Sequence, residues 1–224
     1  PDCGVRMEQK LCYDDTALYV FQRAWESDIR AECSAPLSPV HEDSCMEFFF
    51  SLTDDWRYVN FEINPNACIE LGFGPNRRER VRLCHKSEQE TFRPVCTRTP
   101  DGWTAEYRIP LSFLRILYPE FSLRSGVSFR ANCYKCGDKT VHPHFLAWNA
   151  VETAAPDFHR PEFFGKMILA QQKILRSICS EGFFWSALQS ISGQGAALRL
   201  KRYRRRIKNR ILYKCALEIL RIVW

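Results

Sequence analysis

The amino-acid sequence predicts an all-β protein, an antiparallel β-sandwich of jelly-roll or immunoglobulin-like type, followed by a basic helical tail. Apolar residues occur in many short runs, and turn-forming sequences separate the runs at regular spacing, as in antiparallel sandwiches. The 12 prolines and 10 glycines are spread among short apolar runs, which disfavours long helices. With 224 residues, 46% of them hydrophobic, the chain has enough apolar surface for one large domain with a core.

Nine segments are predicted to be strands. The first follows a turn-like YDD sequence, and the sixth follows TPDG, a good tight-turn sequence. The third and fourth are predicted to pair as a hairpin, and residues 111–118 are predicted as a short helix or turn. The predicted strands lie at residues 17–25, 44–52, 57–64, 68–74, 91–98, 103–110, 127–136, 145–149 and 162–169.

Alternation within two of these strands predicts which residues face the core, because successive side chains point to opposite faces. In the first of them the core-facing residues are Val59, Phe61 and Ile63, and the opposite face carries Tyr58, Asn60, Glu62 and Asn64. In the second the core-facing residues are Val127, Phe129, Ala131 and Cys133, and the opposite face carries Arg130, Asn132 and Tyr134. Trp148 is also expected to belong to the core.

The composition changes near residue 170, which predicts two regions, 1–170 and 171–224. The second region has 12 Lys and Arg against two Asp and Glu, whereas the first has 20 against 24. Apolar residues recur in the second region at near-helical spacing, which predicts a basic amphipathic helix. Its run KRYRRRIKNR could contact nucleic acid or an anionic membrane surface, or could be a solvated helix face. These apolar residues are Ile207, Ile211, Cys215, Ile219 and Ile222.

Cysteine content bears on the compartment. Eleven cysteines are an odd number, so complete pairing in disulfides is impossible. Several lie in apolar strand-like runs, where cysteine behaves as a small buried hydrophobe, and this favours a reducing compartment. No apolar run reaches the roughly 18 residues that a membrane-spanning helix needs, and the first ten residues lack the apolar core of a signal peptide.

An ordered set of motifs between about residues 13 and 169 resembles the carbohydrate-binding modules of family 9. The resemblance implies a jelly-roll-like β-sandwich that binds sugars without cleaving them. Such modules often accompany xylanases and other glycoside hydrolases, and some bind structural calcium. The motifs are YDDTALYV (13–20), HEDSCMEFFF (41–50), YVNFEIN (58–64), WTAEYRIPLSFL (103–114), GVSFRANCYKCGD (126–138), HFLAWN (144–149) and PDFHRPEFFGKMIL (156–169).

The resemblance also implies a binding site in which two aromatic side chains clamp a terminal sugar and polar groups on strands bind its hydroxyls. Stacking is favourable because the C–H face of a pyranose packs on an aromatic ring. The clamp positions fall at Phe158 and at His41, where the family has Trp or Tyr. Glu62 stands where a relative has Arg. The implied site residues are His41, Glu47, Asn60, Glu62, Asn132 and Phe158. The expected ligands are sugar units or chain ends of a polysaccharide such as xylan or cellulose.

Several alternatives remain open. Glu47 lies in an apolar run, where an unpaired charge is costly, so it either faces a polar groove or pairs with a base such as Arg130. Glu47 and Glu62 could be the carboxylate pair of a glycoside hydrolase, or the domain could be a structural module that has lost its sugar site. Zinc could bind Cys133 and Cys136 with two histidines, and calcium could bind acidic turns. These further candidate ligands are His142 and His144 for zinc, and Asp14, Asp15 and Asp43 for calcium.

Overall fold

Two antiparallel sheets enclose one core in the computed structural model, which describes residues 3–84, 88–170 and 218–220. All strand pairs in both sheets are antiparallel. The five-stranded sheet has the order β12 (Glu218–Leu220), β1 (Arg6–Tyr13), β2 (Ala17–Trp25), β8 (Gly102–Pro110) and β7 (Val95–Thr99). The seven-stranded sheet has the order β10 (Phe145–Ala147), β9 (Ser128–Cys136), β3 (Cys45–Ser51), β4 (Tyr58–Ile63), β5 (Ile69–Gly74) and β6 (Val81–Leu83), and β11 (Gly165–Ile168) also pairs with β9.

The predicted fold class is confirmed, and each of the nine predicted strands is present. The turn TPDG joins β7 to β8, and β4 and β5 form the predicted hairpin. Residues 111–118 contain the helix α2 (Leu111–Leu117). The predicted strand at 91–98 starts later, because its first two residues end the helix α1 (Glu88–Phe92).

Strand β1 lies outside the prediction because its core-facing series contains a glutamine. Gln9 lies between the buried Met7 and Leu11 and is itself completely buried. It is directly opposite Gln22 on β2, whose Nε2 donates to Gln9 Oε1 at 2.7 Å. This hydrogen bond satisfies one polar atom of each amide, whereas Gln9 Nε2 and Gln22 Oε1 have no hydrogen-bond partner among the described residues. The polar side chain in the core-facing series breaks the alternation that predicts a strand.

The core between the sheets contains the residues that alternation assigned to it. Phe61, Ile63, Phe129 and Cys133 belong to one buried cluster, against which Trp148 packs. Burial of this apolar surface is the main favourable contribution to folding. The seven-stranded sheet therefore has an inner face towards this core and an outer face on its other side.

An ion pair that the sequence analysis missed lies at one end of the inner face. Lys135 is fully buried, and its Nζ is 3.2 Å from Glu26 Oε1. Lys135 Nζ also donates to the Cys136 carbonyl at 2.8 Å and lies 2.9 Å from His144 Nε2. Glu26 accepts hydrogen bonds from the Trp103 indole and the Ser44 hydroxyl. Each member is satisfied, as a buried charge requires.

The predicted tail helix lies mostly outside the described residues. Within 171–224, only Glu218–Leu220 is described, and this segment is a strand that pairs with β1. The helix prediction is therefore wrong at Ile219, where pairing with the open edge of a sheet replaces helical geometry. Within the described part of the chain, no helix combines the length and apolar character needed to cross a membrane.

Candidate functional site

The outer face of the seven-stranded sheet carries a row of three glutamates on adjacent strands. Glu47 on β3 is directly opposite Glu62 on β4, and Glu62 is directly opposite Glu70 on β5. We call these three residues the carboxylate row. Each is only 2% exposed. Adjacent like charges in a sheet repel each other, so the row needs protons or nearby cations.

Burial and mutual repulsion act on the protonation of two of these carboxyls. Burial, followed by the negative charge of Cys136 and Glu62, raises the pKa of Glu47 well above its usual value. Burial and then the charge of Glu70 raise the pKa of Glu62 to about 8, against an opposing effect of nearby arginines. Glu47 Oε1 accepts a hydrogen bond from Cys136 Sγ at 2.9 Å. Burial and repulsion therefore both act against ionisation in this part of the row.

Arginines neutralise the other end of the row. Arg82 Nε lies 2.9 Å from Glu70 Oε1, and Arg80 Nη1 lies 3.4 Å from the same oxygen. The glycine at 72 makes room for this arrangement, since a Cβ there would lie 2.7 Å from Arg80 Nη1 and would collide with Asn60 Oδ1. The guanidinium of Arg80 thus lies close against the sheet beside Asn60.

Two acceptor atoms in this region have no hydrogen-bond donor among the described residues. They are Asn60 Oδ1 and Glu70 Oε2, and both are buried. Asn60 Nδ2 donates to Glu62 Oε1 at 2.9 Å, which fixes the orientation of its amide. His41 completes the group, because its ring and the carboxylates of Glu62 and Glu70 offer ligand atoms within 4.8 Å of one another. We call His41, Asn60, Glu62, Glu70 and Arg80 the polar cluster.

Residues 150–160, the covering loop, lie over the aromatic half of the outer face. The Phe158 ring stacks on Tyr134 with centroids 4.1 Å apart and an interplanar angle of 8°. Tyr134 Oη donates to the Phe158 carbonyl at 3.1 Å, and Tyr58 Oη lies 2.7 Å from His159 Nδ1. Asp157 forms an ion pair with Arg77 at 3.0 Å, which ties the loop to the segment after β5.

Phe158 is only partly buried and borders an open space. A cavity of about 540 Å³ extends along β10 and the covering loop, and Asp157 and Phe158 form part of its wall. One face of the Phe158 ring is occupied by Tyr134. Phe145 and the cluster of Val40, Cys45 and Cys136 contact other parts of the residue, so a ligand can reach only the surface that lines the cavity.

The structure brings four of the six predicted site residues together. The other two, Phe158 and Asn132, make their contacts outside this group. His41, Asn60 and Glu62 belong to the polar cluster, and Glu47 is the next member of the carboxylate row. Phe158 lies against Tyr134, towards β10. Asn132 holds the chain at Asn149: its Nδ2 donates to the Asn149 carbonyl at 2.8 Å, and its Oδ1 accepts from the Asn149 amide at 2.9 Å.

Sequence reasoning missed Glu70, Arg80 and Tyr134 as members of the site. Glu70 could have been found, because the pairing of the predicted hairpin places it beside Glu62. Arg80 could not, since it reaches the site from the segment between β5 and β6. Tyr134 was expected on the outer face, but its role as the support of Phe158 depends on a loop contact that strand periodicity does not encode.

The structure also decides between some of the alternatives. The suggested Glu47–Arg130 pair is wrong, because Arg130 lies over the Trp56 ring with its Cζ 4.0 Å from the centroid. Cys133 belongs to the inner core and Cys136 to a cluster on the outer face, so the two thiols do not converge as a zinc site requires. Asp14 Oδ1 and both carboxylate oxygens of Asp43 accept hydrogen bonds from backbone amides, so both aspartates have structural partners in their loops.

This combination defines a class of protein: a jelly-roll-like β-sandwich with a polar cluster and an aromatic side chain on the outer face of one sheet. The family model of carbohydrate-binding family 9 matches residues 4–169. The chain belongs to carbohydrate-binding family 9. No curated protein matches the chain.

Solved structures with the same fold agree with this membership. A protein from Bacteroides uniformis ATCC 8492, provisionally described as carbohydrate-binding, is similar with a TM-score of 0.62 and 29% identity over 69% of this chain and 73% of that one. A family 9 module from Caldicellulosiruptor kristjanssonii in complex with glucose has a TM-score of 0.53 and 16% identity, covering 75% and 78%. The same organism's module in complex with cellotriose has a TM-score of 0.52 and 16% identity, covering 77% and 78%.

Proposed function

We propose that this domain binds carbohydrate without cleaving it, at the polar cluster and with Phe158 as an aromatic contact. The polar cluster combines acceptors with the donors of His41 and Arg80. A sugar hydroxyl donates one hydrogen bond and accepts others, so such a mixed set suits a neutral polyol. Family membership and the glucose and cellotriose complexes of the Caldicellulosiruptor kristjanssonii module support the same ligand class.

The observation that carries the proposal is the pair of donorless acceptors, Asn60 Oδ1 and Glu70 Oε2. A buried acceptor without a donor costs about 1–3 kcal/mol. Two ligand hydroxyls would supply the missing donors. The cluster borders the surface at two places, since His41 is partly exposed and Arg82, which pairs with Glu70, has a side chain that is 42% exposed.

A divalent cation fits this cluster less well than a sugar does. His41, Glu62 and Glu70 have the spacing of metal ligands, but Arg80 and Arg82 already lie beside Glu70. Their positive charges repel a cation, and they are suitable donors to hydroxyl oxygens. The electrostatics therefore favour a neutral hydroxylated ligand.

A hydrolytic role for Glu47 and Glu62 is the second candidate from the sequence. A glycosidase needs one protonated and one ionised carboxyl, so the environments of the two groups must move their pKa values apart. Here burial raises the pKa of both carboxyls. This shared direction supports a binding role rather than acid–base chemistry.

The preferred sugar and the biological setting are part of the proposal. We infer terminal sugar units of a polysaccharide such as cellulose or xylan, because one compact polar cluster and a single aromatic contact suit a chain end. Association with glycoside hydrolases in carbohydrate catabolism is the corresponding setting.

Calorimetric titration with glucose, xylose, cellotriose and xylotriose tests the proposal. Glu70→Gln should weaken binding about 10- to 100-fold, from the loss of a charged acceptor. Phe158→Ala should weaken it about 2- to 10-fold, from the loss of ring contact. Trp56→Ala is the matched control, since Trp56 is an exposed aromatic residue that stacks with Arg130 away from the cluster. No heat with any sugar, or a loss of binding only in Trp56→Ala, would refute this site.

A further inference from the structure

A second group of ligand-type side chains lies on the outer face, beside the polar cluster. The thiols of Cys45 and Cys136 and a carboxylate oxygen of Glu47 lie within 4.8 Å of one another. All three residues are buried, with exposures of 0%, 2% and 2%. The proposed sugar site makes no use of the two thiols, so this convergence needs its own explanation.

Strand pairing fixes the three side chains in place. Cys45 on β3 is directly opposite Cys136 on β9, and Glu47 follows Cys45 by two residues on the same face of β3. Residues two apart on a strand share a face. Because two central strands hold the three groups, their spacing does not depend on a loop, and sites built on such elements are well preorganised.

We propose that Cys45, Glu47 and Cys136 form a binding site for zinc or a similar thiophilic divalent cation. Zinc takes thiolate sulfur at about 2.3 Å and carboxylate oxygen at about 2.0–2.2 Å, so its tetrahedral ligand atoms lie about 3.5–4 Å apart. The three groups, whose ligand atoms lie within 4.8 Å of one another, would close to this spacing around the cation. Three protein ligands leave a fourth position open. This inference does not rest on the proposed sugar-binding function.

Glu47 has no cationic partner of its own. Among the described residues it makes no ion pair, and Glu62 is directly opposite it on β4. The nearby ammonium of Lys135 lies on the inner face of the sheet and is already paired with Glu26. On metal binding, the two thiol protons and the carboxyl proton pass to solvent, and the resulting thiolates and carboxylate coordinate the cation. The polar cluster differs, since arginines already serve its carboxylates.

The surroundings shield the proposed site from water. Cys45 and Cys136 pack with Val40, and Phe158 of the covering loop packs against the same cluster. The described cysteines are free thiols, so both sulfurs are available as ligands. The softness of two sulfurs selects zinc, cadmium or cobalt over magnesium and calcium, which prefer oxygen ligands.

Cobalt titration of the reduced, chelator-treated full chain tests the proposal. The expected result is one Co²⁺ per chain, with thiolate-to-cobalt charge-transfer absorption and the visible bands of tetrahedral cobalt, both lost on addition of Zn²⁺. Cys136→Ser should lower the charge-transfer absorption per bound cobalt by half or abolish binding. Glu47→Gln should weaken binding by more than the roughly 10- to 100-fold loss typical of outer-sphere partners.

Matched cysteine variants separate this site from other thiols. Cys133→Ala removes a buried thiol of the same strand that faces the inner core, and it should leave cobalt binding unchanged. Cys33 and Cys68 pack near the proposed site, so the double variant Cys33→Ser/Cys68→Ser tests the nearest alternative pair. A cobalt signal lost in that double variant but kept in Cys45→Ser would overturn the proposal.

Stability measurements make the result independent of spectroscopy. Zinc should raise the melting temperature of the native chain and not that of Cys45→Ser, provided that both metal-free proteins show a cooperative transition. Absence of any zinc-induced shift in the native protein would refute the site. Peptide mapping that shows a Cys45–Cys136 disulfide in the protein as isolated under reducing conditions would also refute it.

Discussion

Replacing Gly72 by alanine should destabilise the domain, although this change usually stabilises a strand. A glycine-to-alanine substitution at a compatible position contributes about 0.4–1 kcal/mol by restricting the unfolded chain. At Gly72 the new methyl group would collide with Asn60 Oδ1 and lie 2.7 Å from Arg80 Nη1. Asn60 would lose its hydrogen bond to Glu62, worth about 1 kcal/mol, and displacement of Arg80 from Glu70 would cost about 1–3 kcal/mol. The net expectation is a loss of about 1–3 kcal/mol.

Thermal unfolding and sugar titration together check this expectation. A loss of about 2 kcal/mol corresponds to a decrease of about 4–8 °C in melting temperature for a domain of this size. Binding should weaken as well, because Asn60 and Arg80 both belong to the polar cluster. Gly126→Ala is the control: it has open space around the new methyl group but a φ of +85°, so it should cost stability without affecting sugar binding. A Gly72→Ala protein as stable as the native one would refute the described packing.

Three further predictions concern buried charge. Glu62→Gln should stabilise the domain at pH 8 and have less effect at pH 5. The raised pKa means that ionisation of Glu62 in the folded state becomes costly as pH rises from about 4.5 to 8. An equal change in the free energy of unfolding at both pH values, measured in urea, would contradict this. Burial lowers the pKa of His159 to about 2, so on acidification the unfolded chain takes up a proton before the folded one does. The melting temperature should therefore fall below about pH 6.5. His159→Asn should remove this fall, and an unchanged dependence of melting temperature on pH in the variant would contradict the prediction. Lys135→Met should cost about 3–5 kcal/mol in denaturant unfolding because it leaves Glu26 buried and unpaired, and a loss below 1 kcal/mol would show that Glu26 is solvated.

Periodicity was sufficient to predict most of the sandwich. The alternation of Val59, Phe61 and Ile63 survives in the structure because one face of β4 meets the core and the pleat places every second residue there. Periodicity does not reveal a strand in which burial of a polar side chain depends on a second residue elsewhere in the chain. Gln9 is an example, since its place in the core depends on Gln22 in another strand.

The site was harder to predict than the fold because its environment comes from distant segments. Alternation placed Asn60 and Glu62 correctly on the face away from the core, yet both are almost completely buried. Arg80 lies beside Asn60 and His41 lies beside Glu62, and the segments that carry them have no periodic pattern. Their effect on the protonation of Glu62 is consequently invisible in the sequence.

The backbone position of Phe158 is held by contacts that do not involve its own ring. The flanking hydrogen bonds of the covering loop go to the Phe158 carbonyl and to the His159 ring, through the hydroxyls of Tyr134 and Tyr58. The Arg77–Asp157 ion pair adds a third attachment. Removal of the phenyl ring therefore leaves these attachments of the loop in place. A loss of sugar affinity in Phe158→Ala can consequently be assigned to the missing aromatic contact, whereas unchanged affinity would locate recognition in the polar cluster alone.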